Sequence, residues 1–146
     1  MIARNGGEPM LVDGGLEILD ESECRRLLKT GYLGRIGVTI EALPAIFPVN
    51  YTVHEDSILF CTAPGTKLSM ASDRRIVAFE VEGGVDAMYH HGWSVLVVGT
   101  AREVDNPGEL KRLERHLPTP WAPGQRRRVV RIGIDLISGR RIDHGW

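Results

Sequence analysis

From residue 33 onward the apolar residues of this chain return at every second position, in short runs broken by proline, glycine or clustered polar residues. A period of two places alternate side chains on opposite faces of an extended strand, whereas a helix needs 3.6. The run 33–40 (LGRIGVTI) sets Leu33 near Arg35 on one face and Ile36, Val38 and Ile40 on the other. Residues 45–53 (AIFPVNYTV), 57–62 (SILFCT), 76–81 (IVAFEV), 93–104 (WSVLVVGTAREV) and 128–142 (RVVRIGIDLISGRRI) continue the series. Pro48 has no N–H for a ladder bond and predicts an edge or a bulge. His54-Glu55-Asp56 turns the second run back into the third. IVAFEV alternates less cleanly, which predicts a well-buried strand. Helical spacing is confined to three short segments. Asp20 with Glu23 is a capping-box-like start for a helix over about 21–29, and Cys24, Leu27 and Leu28 give its apolar stripe. A second helical segment runs from 67 to about 72, and a third, opened by Pro107, spans about 107–116 with Leu110 and Leu113 inward. The prediction is a mainly β fold with small helices, an antiparallel barrel of five or six strands.

A chain of 146 residues suits one domain. Residues 1–15, with four glycines and little periodicity, read as a flexible N-terminal arm, and 16–146 as the single domain. No stretch approaches the ~20 apolar residues of a membrane helix. The first fifteen residues lack an apolar leader core, so a cytoplasmic protein is expected. Two cysteines make neither a disulfide framework nor a metal site, and His90-His91 lacks the spacing that sets two imidazoles on one helical face, so no metal is expected. Charge is unevenly spread. Residues 111–146 hold nine Lys/Arg against three Asp/Glu, and residues 1–110 nine against sixteen. Arg126-Arg127-Arg128 with Arg131 has only Trp121 as an aromatic neighbour, whereas single-strand binders interleave several rings, so no nucleic-acid partner is expected.

Three segments carry candidate chemistry. In 60–67 (FCTAPGTK) a strand ends in Thr62, a Pro-Gly turn follows, and Thr66-Lys67 opens a helix. Unsatisfied N–H groups, a hydroxyl and one ammonium suit a phosphate, and only three lysines stand beside fifteen arginines. The spacing is not that of a Walker A loop, which favours a mononucleotide over a triphosphate. The same stretch also reads as a plain turn with a surface lysine. Asn50 and Tyr51 offer an amide and a phenol to a heteroaromatic edge, or face water. Gly92-Trp93-Ser94 fails as a nucleophile elbow because Leu96 stands where glycine is required. Trp93 and Ser94 read better as a packing surface and a hydroxyl donor. No catalytic residue is identified.

The order of these segments resembles the pyridoxamine 5′-phosphate oxidase-like family of FMN-binding split barrels, in particular a small bacterial branch similar to nitroimidazole-resistance proteins. The resemblance spans about residues 19–142 through LGRIGV (33–38), PVNY (48–51), FCTAPGTKL (60–68), VAFEV (77–81), GWSVLVVGTA (92–101), PWAPG (120–124) and SGRRI (138–142). It implies a six-stranded antiparallel split β-barrel, a homodimer with flavin at the subunit interface, and a flavin-dependent oxidoreductase acting on a small-molecule substrate. It assigns Thr62, Thr66, Lys67 and Leu68 to the phosphate turn, Pro48, Val49, Asn50 and Tyr51 to the strand lining the isoalloxazine, and Trp93 and Ser94 to a strand start that reaches the cofactor, commonly from the other subunit. Trp121 is placed over a substrate pocket. The family's true oxidases carry Arg-Lys where this chain has Thr66-Lys67. FMN is the implied cofactor, with the deazaflavin F420 as an alternative that the arginines of 126–131 would suit. A non-catalytic flavin-binding or sensing module is a further alternative.

Overall fold

In the computed structural model, which describes residues 10–12, 15–119 and 127–143, the architecture follows from how the longest strand shares its edges. The strands are β1 (Met10–Val12), β2 (Leu16–Ile18), β3 (Leu33–Ile40), β4 (Leu43–His54), β5 (Ser57–Thr62), β6 (Arg75–Asp86), β7 (His91–Val104), β8 (Arg128–Gly133) and β9 (Leu136–Ile142). The helices are α1 (Glu21–Leu28), α2 (Lys67–Ala71) and α3 (Pro107–Leu113), the last running into a 3₁₀ turn, Glu114–His116. One edge of β7 pairs with β6. The other edge is divided: residues 92–98 pair with β9 and residues 101–104 with β8. Because β6-β3-β4-β5-β8 is itself a continuous antiparallel series, the β8 pairing closes a six-stranded barrel, while β9, β2 and β1 branch away from it.

The fork needs glycine. Gly99 sits between the two halves of the divided edge, where a Cβ would overlap the carbonyl oxygen of Gly133 at the end of β8. Thr100 N–H donates to Asp135 at 3.3 Å just beyond, fixing the link between β8 and β9. Inside the barrel, Ile36, Val38, Tyr51, Ile58, Phe60, Val77, Phe79, Val81, Val95, Val97, Val130 and Ile132 form one core. Tyr51 and Phe79 meet edge to face at 4.8 Å. A smaller cluster on the outer wall joins Leu59, Val104 and Val129 to Leu113, with Leu110 and Leu117 packed against it, so α3 covers β5, β8 and the end of β7.

Each local start is legible in the chain. Asp20 caps α1 by accepting Glu23 N–H at 2.8 Å, and Cys24, Leu27 and Leu28 are buried. Pro48 lies where β4 pairs with β3 alone, since the β5 pairing begins at Tyr51. The 128–142 run gives the last two strands, separated after Gly133. One expectation changes. The fourth strand is not buried on both faces: it runs on to Asp86 and alternates, with Val77, Phe79 and Val81 inward and Ile76 76% exposed. A barrel wall has only one covered face, and no described element lies over this part of the outside.

Candidate functional site

β3, β5 and β7 are mutually parallel, so the end of β5 and the start of β7 lie at opposite ends of the barrel. At the first end, β5 stops at Thr62 and the chain turns through Ala63-Pro64-Gly65. Gly65 has φ +74°, a conformation that side chains rarely adopt. Thr66 caps α2: its hydroxyl oxygen accepts Ser69 N–H at 3.1 Å and donates to the carbonyl of Ala63 at 3.0 Å. The Thr62 hydroxyl lies 3.2 Å from that of Thr66 and, with Thr66's proton committed, is the donor between them. Leu68 packs on the barrel core, anchoring the helix. Lys67 is exposed and has no hydrogen bond or ion pair among the described residues.

The structure adds a residue here. Thr62 and Arg128 are register partners across β5 and β8. Arg128 lies 3.1 Å from Glu103 and 3.4 Å from the hydroxyl of Ser69, a side chain almost wholly buried under α2. The sequence marks 126–131 as basic without saying which arginine reaches the turn, because that depends on pairing between strands 66 residues apart. Arg131 is committed elsewhere: Nε donates to Ser57 at 2.7 Å and Nη1 to Glu109 at 3.1 Å. It therefore does not extend a basic surface for a long acidic tail.

Along β4 the alternation separates neighbouring candidates. Val49 and Tyr51 point into the barrel and are buried, and Pro48 and Asn50 point out. The Tyr51 phenol, offered by the sequence either to a ligand's edge or to water, donates to the carbonyl of Leu28 at 2.6 Å. Desolvation pushes its pKa up to about 12. Asn50 is different. Its Oδ1 is shielded from solvent and accepts no hydrogen bond among the described residues, a state that costs free energy unless a donor arrives.

At the opposite end the Trp93 ring packs against Gly83, where a Cβ would collide with the indole. It forms the wall between two open hollows of about 550 and 460 Å³. The larger is lined also by Ser94, His91, Arg140 and Val85, the smaller by Tyr32 and Arg35. Trp93 and Ser94 are thus together, but one chain does not bring them to the 62–67 turn. Trp121 lies outside the described residues. No group of three or more His, Cys, Asp or Glu side chains among the described residues could hold a metal, and His91 Nδ1 is engaged with the carbonyl of Gly84 at 2.8 Å. No helix among the described residues is long and apolar enough to cross a membrane.

The comparisons with known proteins agree with this fold. The profile of a family described as pyridoxamine 5′-phosphate oxidase matches residues 20–141. An uncharacterised protein of Mycobacterium tuberculosis is 36% identical over 128 residues, which is 85% of this chain and 84% of that protein. A solved structure described as the FAD binding protein of Mycobacterium smegmatis superposes with a TM-score of 0.77 at 38% identity, covering 88% of this chain and 99% of that one. A candidate 5-nitroimidazole antibiotic resistance protein of Bacteroides thetaiotaomicron shares the fold at 16% identity, with a TM-score of 0.68 over 95% and 96% of the two chains.

Proposed function

The chain belongs to the pyridoxamine 5′-phosphate oxidase family, and on that premise we propose that it is a flavin-dependent oxidoreductase holding FMN by its phosphate at the 62–67 turn. The observation that carries the reading is Lys67: an exposed ammonium without an acidic partner among the described residues, following two hydroxyls already oriented by the Thr66 cap. A cation at the first position of a helix also opposes the helix dipole, a conflict an anion relieves. The buried acceptor of Asn50 fits the same group, since an isoalloxazine carries a ring N–H that can donate to it. Pro48 and Val49 bring the outer edge of β4 to that position, Leu68 fixes α2, and Tyr51 holds the strand from inside through its bond to Leu28.

When bound, a flavin supplies hydride and electron transfer, and the protein binds, orients and shields it. No residue of this chain is needed as a covalent nucleophile. Trp93 and Ser94, at the far end of the same barrel, act in this reading on the flavin of a second copy. A surface suited to that copy exists. Ile46, Gly37, Ala78, Val98 and Leu136 follow one another across five strands by direct register, with Ile46 71% and Leu136 68% exposed. Contiguous exposed apolar faces of this kind mark association sites. The substrate is a small organic molecule admitted beside Trp93.

Flavin fluorescence titration tests the reading. Lys67→Ala should weaken FMN binding about tenfold or more, as expected for a lost charge-assisted contact, while Lys29→Ala and Lys111→Ala leave it unchanged. Equal small losses in all three sink it. Because the related Mycobacterium smegmatis protein is described as FAD-binding, the titration includes FAD; retention of F420 alone assigns the deazaflavin instead. Absence of turnover with reduced nicotinamide across many acceptors, with flavin bound, assigns a storage or sensing role. Sedimentation of Ile46→Glu and Leu136→Glu variants tests the dimer, which should dissociate.

A further inference from the structure

The barrel end covered by α2 carries a second cation. Thr62 and Arg128 face each other directly across the β5–β8 ladder, so their side chains share one face. On that face the next residues inward, Phe60 and Val130, belong to the core. Glu103 is of the same parity, being the register partner of Val130 on β7. The guanidinium of Arg128 therefore stands at the mouth of the barrel, between the end of β7 and the helix that covers the opening. Its contacts to Glu103 Oε2 (3.1 Å) and Ser69 Oγ (3.4 Å) both come from Nη1. A guanidinium has five N–H donors in a rigid fork, and those on Nε and Nη2 have no partner among the described residues. Other arginines of the chain are more fully used: Arg131 meets Ser57, Glu109 and Glu55, and Arg141 meets Glu17 and Glu23.

We infer that Arg128 is a second phosphate-binding residue of the 62–67 turn, and that Glu103 is the counter-ion from which an arriving phosphate takes it. The inference rests on the flavin reading above and extends it to a residue on a distant strand. The hydroxyl pair Thr62 and Thr66 lies between Lys67, next in the chain, and Arg128, next across the sheet. A phosphate monoester brings about −1.5 to −2 charge and three acceptor oxygens, against the single charge of Glu103. It also matches the planar fork in two-point fashion, which one carboxylate contact through Nη1 does not use. The exchange breaks one ion pair and forms another, with no covalent change. Its consequence is selectivity: the site distinguishes a phosphorylated flavin from riboflavin, and Glu103 moderates that preference.

The test titrates the full chain and its Arg128→Gln, Glu103→Gln and doubly substituted variants with FMN, FAD and riboflavin, beside thermal unfolding without ligand. Arg128→Gln should weaken FMN about tenfold, weaken FAD by less because its ribityl phosphate is a singly charged diester, and leave riboflavin unchanged. Glu103→Gln should tighten FMN about threefold, the scale of a released half-exposed ion pair, and this gain should vanish in the double variant. If Arg128→Gln weakens all three flavins alike, or Glu103→Gln fails to tighten FMN, the inference is overturned while the flavin reading stands. If the unsubstituted protein binds no flavin, or binds riboflavin as tightly as FMN and FAD, the phosphate turn itself is wrong and the inference falls with it. Should Arg128→Gln unfold, Arg128→Lys replaces it, with an intermediate loss confined to FMN and FAD expected and an equal loss for riboflavin overturning the inference.

Discussion

α2 and α3 begin alike and end up doing different things. Each is opened by a side-chain cap, Thr66 accepting from Ser69 N–H and Asn106 from Glu109 N–H at 3.0 Å. In α3 the first turn is committed within the fold. Pro107 takes the first position, Glu109 is held by Arg102 at 2.7 Å and Arg131 at 3.1 Å, and Leu113 is buried in the outer cluster. In α2 the first turn has no acidic residue, Lys67 has no partner among the described residues, and Met70 is exposed. A cap states where a helix starts and nothing about its purpose. The distinction lies in whether the charges of the first turn are neutralised within the fold or left for something outside it.

Substitutions can break that distinction. Leu113→Ala, at a side chain only 3% exposed, should cost about 2–4 kcal/mol of stability through the cavity it leaves, read by denaturant unfolding, with flavin affinity of the folded protein unchanged. Lys67→Ala should do the opposite, losing at least ~1.4 kcal/mol of flavin binding while unfolding shifts by less than ~0.5 kcal/mol. A stability loss at Lys67 comparable to that at Leu113 would erase the contrast. The two caps should each contribute about 1 kcal/mol. Asn106→Ala is expected to show this in unfolding alone, and Thr66→Ala in both unfolding and flavin titration. The smallest effect concerns pH. Glu109 is held below its usual pKa, mainly by its hydrogen bond from Arg102. Because the folded value is the lower one, its contribution is complete above the ordinary carboxylate pKa of 4.5 and fades as pH falls below it. The difference in melting temperature between the unsubstituted chain and Glu109→Gln should therefore shrink between pH 6 and pH 3.

What could be read from the chain alone follows the range of the interactions involved. The cap of α1, the 62–67 turn and the six-strand barrel rest on spacing within a few residues or on motifs in order, and they stand where expected. The inward course of Tyr51 was also present, in the alternation of Phe47, Val49, Tyr51 and Val53, though the phenol's polarity argued for an outward role. Arg128 was not accessible in this way. Its place opposite Thr62 depends on the β5–β8 register, and a shift of one residue would turn it to the other face. The division of β7 was equally hidden. Nothing in a run of alternating residues says that its two halves serve different neighbours, and only the contact between Gly99 and Gly133 reveals why glycine occupies that point.

The barrel interior is packed: Tyr51 meets Phe79 edge to face, and Phe60, opposite Tyr51 on β5, is just as deeply buried. A small solute has no route through such a wall, so recognition must be written on the skin of the molecule. Outward positions such as Asn50, Ser94 and Arg140 can then be diversified in a library without retuning the packed middle. That separation makes this architecture a tolerant platform for altering what it accepts.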